Sequence, residues 1–320
     1  MREAALLLGQ LPSPRVWGGE AISRHLGVTT GEPIGELWLA YDDCPVLTGA
    51  HTGETVAEAL RALGGAFLGP VPFARFGLEL PLLAKFLDTS AWLSVQVHPD
   101  DAYAHTVERA SGFHGKTEAW CILQGTGELV YGVSSSLDAE TVRAAALDGS
   151  IDALLAHVIA RPGDVIYVPA GTIHALGPGL LLYEVQQRSD LTYRLYDYGR
   201  PRELHLDRAL EVSKLHPALP PELMQVRSGD LEVLLAAPAF LLARFAIAGS
   251  GEIRAPHESF LLLTLVEGSA SWDGRDLRWG ETLLIAAGES VGLAGDARFL
   301  GSFVPSPERL ARLDPRARVA

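Results

Sequence analysis

The stretch SVQVHPDD, residues 94–101, decides the fold of this chain. Apolar and polar residues alternate from Leu93 to His98, and this period of two predicts a β-strand. Because side chains two apart on a strand point to the same face, Gln96 and His98 are expected to project together. The Pro and the two Asp residues that follow predict a turn. The stretch therefore offers a carboxamide and an imidazole at the end of one strand.

Two further polar residues take comparable positions later in the chain. Glu118 ends the run GKTE (115–118), and His174 ends the run PAGTIH (169–174). Metal sites need ligands that converge from separated strand ends, and two imidazoles, a carboxylate and a carboxamide oxygen suit Zn²⁺ or a similar divalent ion. The sequence therefore predicts one open metal site, with room for water or substrate and with four ligands: Gln96, His98, Glu118 and His174.

Most histidines in proteins form ordinary hydrogen bonds rather than bind metal. His98 and His174 differ from the others because each ends a strand-like run and enters a turn. Six further histidines lack that setting and are interpreted as hydrogen-bonded core or rim residues: His105, His114, His157, His205, His216 and His257.

Length and composition predict a globular protein of two packed domains. The chain has 320 residues, of which 48% are hydrophobic and 20% charged, and no charged or Ser/Pro-rich linker divides it. No apolar stretch reaches the roughly 20 residues that cross a membrane, and an acid stands near the N-terminus where a secretory leader would be basic. Two cysteines, Cys44 and Cys121, agree with a reducing compartment. A cytoplasmic location is expected.

The formal net charge of −13 argues against nucleic acid or an anionic membrane as a partner, since no basic stripe or basic helix is present. An anionic substrate therefore needs a local positive site. Lysine is rare and stands only at three positions: Lys85, Lys116 and Lys214. Two of these lie in or near the region of the predicted ligands, where a compact ammonium can give and take a proton in a way that arginine cannot.

Short β-branched or aromatic runs separated by Gly, Pro and Asp predict a mainly β fold. Helices are expected at only a few places: 54–63, 136–157 and 204–214. The run RPGDVIYVPAG (161–171) returns as RWGETLLIAAG (278–288), with glycines at the same positions. Two copies of a small β-barrel or jelly roll explain this repeat best.

The second copy lacks the chemistry of the first. Alignment of the repeats sets Val291 opposite His174 and Leu261 opposite Glu118. Neither aliphatic side chain can bind a metal. The second barrel, over about residues 231–304, is therefore expected to be structural.

The repeat also predicts the domain boundaries. A catalytic, metal-binding domain is expected over 1–225, with the strands and helix before Leu82 packed on the first barrel. A degenerate domain without metal ligands is expected over 226–320. A Pro-rich crossing at 217–221 would join them.

Four motifs, in the same order, resemble those of the type I mannose-6-phosphate isomerases in their short bacterial form. They are SVQVHPDD (94–101), GKTE (115–118), PAGTIHA (169–175) and YEVQQRSDLTYRLYDY (183–198). The resemblance runs from WGG (17–19) into the second barrel and lacks the large helical insertion of fungal and animal members. Those enzymes are zinc-dependent cupins. The resemblance thus implies two cupin-type jelly-roll barrels, one Zn²⁺ per chain and a sugar phosphate as substrate.

The resemblance also implies roles for individual residues. The four predicted ligands match the zinc ligands of the family, and Arg194 matches the arginine assigned to catalysis. Lys116 and Glu184 match polar residues that line the sugar site and are candidates for proton transfer. Phosphate-site residues of longer members fall at three positions here: Ser94, Lys85 and Arg200. The last stands where a lysine is expected, which keeps the charge but changes the donor geometry.

The reaction implied is an aldose–ketose isomerisation, in which a proton moves between C1 and C2 while oxygen charge develops on an enediolate. A bound cation and the guanidinium of Arg194 can stabilise that charge. Glu184 and Lys116 are both candidates for the acid or base. Glu184 is alternatively a carboxylate that orients a zinc ligand.

Two other classes of function stay open. An iron-dependent cupin oxygenase would use a facial triad of ligands and need neither Lys116 nor Arg194. A non-catalytic sugar-binding protein would keep the pocket without turnover. Both a monomer and a homodimer are compatible with the sequence, as are strict and relaxed requirements for the phosphate and either metabolic direction.

Overall fold

The computed structural model describes residues 3–218, 226–228 and 231–313. Within these ranges the chain is mainly β, as the sequence predicts. Its strands, numbered in chain order, are β1 Ala5–Leu8, β2 Leu11–Gly19, β3 Ile34–Ala40, β4 Leu82–Asp88, β5 Val95–Val97, β6 Glu118–Gln124, β7 Gly127–Val133, β8 Leu155–Ala160, β9 Val165–Val168, β10 His174–Leu176, β11 Leu181–Gln187, β12 Tyr193–Tyr196, β13 Val226–Ser228, β14 Leu231–Ala236, β15 Leu241–Ile247, β16 Ser250–Arg254, β17 Leu261–Trp272, β18 Arg275–Leu277, β19 Thr282–Ile285 and β20 Ser290–Phe303.

The helices are short. The α-helices are α1 Ala21–Leu26, α2 Val56–Leu63, α3 Gly65–Leu68, α4 Pro70–Phe76, α5 Asp101–Thr106, α6 Ala139–Asp148, α7 Leu206–Val212 and α8 Pro307–Leu313, and 3-10 turns lie at Gly49–His51, Arg109–Ser111 and Ile151–Leu154. In the part of the chain that the structure describes, no helix has the length and apolar character needed to span a bilayer.

The three predicted helices are present with shorter bounds. Those expected over 54–63 and 204–214 are α2 and α7. The helix expected over 136–157 ends at Asp148, because Gly149 adopts a left-handed conformation that terminates it. Strand β8 begins a few residues later. The Pro-rich crossing predicted at 217–221 lies largely outside the described residues.

The strands form three sheets. The largest has the order β1-β19-β17-β20-β15-β14-β13, with β16 paired to β20 and β18 paired to β17. The second has the order β12-β5-β10-β7-β8, and the third the order β2-β3-β4-β11-β6-β9. The residues predicted to bind metal belong to β5 and β10 of the second sheet and to β6 of the third, or directly follow those strands.

The chain divides into two compact units, each discontinuous in sequence. We call them the C-terminal unit and the ligand-bearing unit; the first comprises Met1–Pro12, Leu37–Lys85 and Leu223–Ala320, and the second Ser13–Glu36 and Phe86–Glu222. The expected boundary at 225/226 is close to residue 223, where the last segment of the C-terminal unit begins. The segments 1–12 and 37–85, however, were expected in the first domain. They group with the C-terminal barrel instead. Part of the reason is that β1 pairs along its whole length with β19.

The repeat seen in the sequence is also present in the structure. β9 and β19 occupy the same positions in the two copies of the repeated run. Gly163 and Gly280, which precede those strands, have φ angles of 93° and 76°. Residues with a Cβ rarely adopt this conformation, so both copies need glycine to enter the strand by the same turn.

The second copy has an apolar interior where the first has polar groups. Leu261 and Val291 are 0% and 3% exposed and pack within one hydrophobic cluster of the C-terminal unit. These are the positions equivalent to Glu118 and His174. Among the described residues, the groups of His, Cys, Asp and Glu that can hold a metal lie in the ligand-bearing unit.

Buried apolar side chains of the ligand-bearing unit form two clusters, because successive residues of a strand point to opposite faces of the sheet. One contains Trp120 of β6, Leu176 of β10 and Leu182 of β11. The other joins the opposite faces of β5, β10 and β12 to helices α6 and α7. Glu118 and His174 are two residues from Trp120 and Leu176, so they share the face of the first cluster. The polar site therefore adjoins one apolar core.

Candidate metal centre and active site

Two imidazole rings meet where β5 ends and β10 begins. The ring centroids of His98 and His174 are 4.8 Å apart, and each residue is buried. His98 Nδ1 lies 2.9 Å from the carbonyl oxygen of Leu191, and His174 Nδ1 lies 2.9 Å from that of Thr172. A carbonyl only accepts hydrogen bonds, so each Nδ1 carries the proton and donates it. Each Nε2 then keeps its lone pair for a metal.

Glu118, the first residue of β6, completes the group. Its Oε1 lies 3.2 Å from His174 Nε2, and its Oε2 lies 3.4 Å from His98 Nε2. Lone pairs that face each other at this distance repel unless a cation lies among them. Glu118 Oε2 is buried and makes no hydrogen bond to any described donor, although the ammonium of Lys116 lies within ion-pair distance of it. The three residues therefore fit a divalent cation.

Gln96 lies beside this group. In the register of β5 with β10 it stands directly opposite His174. Its Nε2 is placed 3.2 Å from His174 Nε2. The two ends of a carboxamide are assigned from their surroundings, and exchanging them brings the oxygen, the atom that binds metals, to the same position. The structure thus brings together all four residues that the sequence predicts as ligands.

Lys116 brings an ammonium group into the cluster. Its Nζ lies 3.0 Å from His98 Nε2 and 3.2 Å from Glu118 Oε2. Burial, followed by the charge of Lys116, lowers the pKa of His98 to about 3, and burial also lowers the pKa of His174. Burial opposes ionisation of Glu118, but the charge of the neighbouring Lys116 outweighs it and holds the pKa of this carboxyl well below its usual range. The imidazoles are neutral and the carboxylate is ionised at neutral pH, as metal binding requires.

Glu184 is buried on β11, in the ligand-bearing unit. In the antiparallel pairing of β11 with β6 it stands opposite Trp120, and Gln186 stands opposite Glu118. Trp120 Nε1–H donates to Glu184 Oε2 at 3.0 Å, and the indole packs edge-on against His174 with centroids 5.5 Å apart. Trp120 is a site residue that the sequence analysis missed, because a Trp in an apolar strand is typical of core.

Arg194 extends the row of polar side chains across a third strand. It is paired with Gln96 between β12 and β5, just as Gln96 is paired with His174 between β5 and β10. Its NH1 donates to the carbonyl of Glu203 at 2.7 Å. The register shifts after Arg194, and Tyr196, two residues later, packs against the cluster that contains helices α6 and α7.

Two further arginines share one buried carboxylate. Arg200 NH2 lies 2.7 Å from Asp197 Oδ1, while Arg202 reaches both oxygens of Asp197 at 2.6 Å. Arg194 is close to them, because its NH1 donates to the carbonyl of Glu203, the residue after Arg202. Burial and then the charge of Arg202 lower the pKa of Arg194. Asp197 and the exposed Glu203 offset only part of the charge of the three guanidinium groups. This arginine cluster is therefore a local positive region in a chain of net charge −13.

The other predicted phosphate-site residues are Ser94 and Lys85. Ser94 is buried, two residues before Gln96, in the ligand-bearing unit. Lys85 is buried on β4 and belongs to the C-terminal unit. Arg202, by contrast, was not predicted: an arginine in a polar turn is ordinary in sequence, and only its ion pair with Asp197 sets it apart.

Comparison with known proteins identifies the family. The family model described as "Phosphomannose isomerase type I, catalytic domain" matches residues 12–118. Mannose-6-phosphate isomerase ManA of Bacillus subtilis is 37% identical over 271 residues, which cover 79% of this chain and 82% of ManA. The chain belongs to the type I mannose-6-phosphate isomerase family. The mannose-6-phosphate isomerase of Streptococcus mutans is 34% identical over 286 residues, 84% of this chain and 86% of that protein.

Structural comparison agrees with this assignment. The crystal structure of mannose 6-phosphate isomerase from Bacillus subtilis superposes with a TM-score of 0.80 at 29% identity and covers 94% of this chain and 99% of that one. The resemblance drawn from the four sequence motifs is thus confirmed, as is the mainly β, cupin-type fold. Membership of the family makes this protein an isomerase.

Proposed function

We propose that this protein is a zinc-dependent aldose–ketose isomerase that interconverts mannose 6-phosphate and fructose 6-phosphate. The observation that carries the proposal is the convergence of two imidazole Nε2 atoms and the carboxylate of Glu118 on one buried point, beside the buried Lys116. A sugar-binding protein has no need of an ammonium within 3.0 Å of a metal-binding nitrogen. Family membership supplies the reaction class.

We assign the metal to His98, Glu118 and His174, with Gln96 as the fourth ligand, and Zn²⁺ as the ion. When bound, such a cation polarises sugar oxygens and stabilises the negative charge that develops on them. The protein's own task is to hold the ligands in place. The carbonyls of Leu191 and Thr172 fix the two imidazole rings, and Trp120 packs against one of them.

The reaction requires two kinds of proton transfer. The aldose loses a proton from C2 and gains one at C1, while O2 loses its hydroxyl proton and O1 gains one. Lys116 and Glu184 are the groups of this chain that we propose for these transfers. Arg194, on the strand next to Gln96, offers fixed donors to the oxygen charge of the enediolate.

A coupled assay for fructose 6-phosphate formation tests this function directly. Purified protein loaded with Zn²⁺ is expected to turn over mannose 6-phosphate, to lose activity after chelation, and to regain it when Zn²⁺ is restored. No product from the zinc-loaded protein would instead favour a non-catalytic sugar-binding role. Bound iron with oxygen consumption would favour the oxygenase.

Arg200 and Arg202, which share the carboxylate of Asp197, are proposed as part of the phosphate site, together with Ser94. Arg200→Ala removes one guanidinium, and a hydrogen bond to a charged group contributes about 1.5–3 kcal/mol. The Michaelis constant for mannose 6-phosphate is therefore expected to rise roughly ten- to a hundredfold. Initial rates with mannose 6-phosphate and with free mannose measure the effect. Ser94→Ala is expected to act in the same direction more weakly.

The matched control for Arg200→Ala is Arg143→Ala. It removes the same charge from a surface pair with Asp207 in the same unit. It is expected to leave both Michaelis constants unchanged, since surface ion pairs contribute little. Equal effects of Arg200→Ala on mannose 6-phosphate and mannose would exclude Arg200 from the phosphate site. Lys85 stays a candidate for this role, and the cytoplasmic location and the choice between monomer and homodimer stay predictions.

A further inference from the structure

A second group of metal-binding side chains lies elsewhere in the ligand-bearing unit. Asp101, His105 and His114 each offer a ligand atom, and these atoms lie within 4.8 Å of one another. His105 Nε2 and His114 Nδ1 are 2.9 Å apart. None of the three belongs to the candidate metal centre described above. Sequence analysis interpreted both histidines as ordinary hydrogen-bonded residues.

The local structure explains why the three residues meet. Asp101 and His105 are the first and fifth residues of α5. Residues four apart on a helix lie on one face, so their side chains are neighbours. The chain then turns back through the 3-10 turn and the left-handed Gly112, and this reversal brings His114 to the same face.

The carboxylate of Asp101 is held in a fixed orientation. Its Oδ1 accepts hydrogen bonds from Gly115 N–H and from Gln187 Nε2–H, both at 2.9 Å. Since both bonds are made to Oδ1, the other carboxylate oxygen is the donor we assign to a cation. A ligand whose orientation is already fixed loses less conformational freedom when it binds.

We propose that Asp101, His105 and His114 form a second site for a divalent transition-metal cation, with Zn²⁺ as the representative ion. Two imidazoles and one carboxylate form the ligand set of many open zinc sites, in which water takes the fourth position. Imidazole nitrogen selects ions such as Zn²⁺ or Co²⁺ over Mg²⁺ and Ca²⁺, which prefer oxygen ligands. The site is more exposed than the candidate metal centre, so it binds more weakly.

The distance between the two histidines suits this assignment. Two nitrogens that bind one tetrahedral zinc ion at 2.0–2.1 Å lie about 3.4 Å apart. The present separation of 2.9 Å requires only a small outward rotation of the exposed His105 ring. The cation would replace one hydrogen bond at the protein surface, which contributes on the order of 1 kcal/mol.

The second site is connected to the candidate metal centre through the chain. Gln187 donates to Asp101 and accepts from Thr117 N–H at 3.0 Å, and Thr117 lies between Lys116 and Glu118. A cation at the second site would therefore tie the turn over 107–114 to the segment that carries those two residues. Its role is to fix this turn, rather than to take part in the reaction.

Cobalt binding tests the site with a readout that is independent of activity. Metal-free protein is titrated with Co²⁺ at pH 7.5, and bound ion is followed by visible absorbance and equilibrium dialysis. The wild type is expected to bind in two classes, one tight and one weaker. The double variant His105→Gln/His114→Gln is expected to lose the weaker class and keep the tight one. His174→Ala is expected to lose the tight class and keep the weaker one.

The matched control is His216→Gln, which removes another exposed histidine of the same unit, bonded only to Ser136 among the described contacts. It is expected to keep both classes. Equal binding by the double variant and the wild type would overturn the proposal, as would complete loss of binding in His174→Ala. Circular dichroism of each variant shows whether the fold is retained, and His105→Gln alone, a change to one exposed side chain, gives the same test if the double variant fails to fold.

Discussion

Replacing His174 by Ala is expected to remove the tightly held metal and to lower turnover by more than roughly a hundredfold. Removal of a group that only orients a metal ligand lowers metal affinity or activity by up to about a hundredfold. Removal of the ligand itself is expected to have a larger effect. His174 contributes one of two Nε2 lone pairs, and its loss leaves Glu118 facing a single imidazole. Metal analysis after gel filtration, with the coupled assay on the same sample, measures both effects.

His157→Ala serves as the matched control for His174→Ala. His157 lies on β8 of the same unit, where it pairs with Glu128 and Asp152 rather than with the candidate ligands. This variant is expected to keep its metal and its turnover. A His174→Ala protein that retains one tight equivalent of zinc and full activity would contradict the ligand assignment.

Exchanging Arg194 for Lys is expected to lower turnover by roughly two to three powers of ten, the range seen when one oxyanion donor is lost. The change keeps the positive charge but removes the planar fork of donors. Arg194 stands in register with Gln96, so the lost donors are those next to the proposed metal ligands. Metal content and the thermal unfolding midpoint are expected to stay unchanged.

Steady-state kinetics separate the two possible roles of Arg194. A rise in the Michaelis constant with unchanged turnover would make it a residue of uniform substrate binding, and the proposed action on the transition state would be wrong. Arg143→Lys applies the same exchange at a surface ion pair and is expected to change neither constant.

Local patterns predicted the parts of this fold that depend on neighbouring residues. The alternation before His98 places Gln96 and His98 on one face, and the structure has the same arrangement. The glycines at the turns before β9 and β19 made the repeat visible in the sequence. Both copies keep glycine there because the backbone at these positions is left-handed, a conformation that residues with a Cβ rarely adopt. The absence of ligands from the second copy was equally readable, since Leu261 and Val291 cannot bind a metal.

Longer-range pairing limited the prediction of domains. The segments 1–12 and 37–85 carry strand and helix patterns, but no local pattern states which sheet a strand will join. β1 joins β19, more than 270 residues away in sequence, and that pairing helps to draw the early segments into the C-terminal unit. Which sheet a strand joins depends on its register with strands that are distant in sequence and on which of its faces is buried.

The sequence by itself determined the family, the mainly β fold and the four residues proposed as metal ligands, because each follows from short motifs and local periodicity. Only the tertiary structure decided the protonation and orientation of those groups. The carbonyls of Leu191 and Thr172 select the free nitrogen of each imidazole, Lys116 meets His98, and Arg202 joins Arg200 on Asp197. The same holds for the contact between His105 and His114. Such contacts form where the chain folds back on itself, and hydrogen bonds and charges act through distances in space rather than along the sequence.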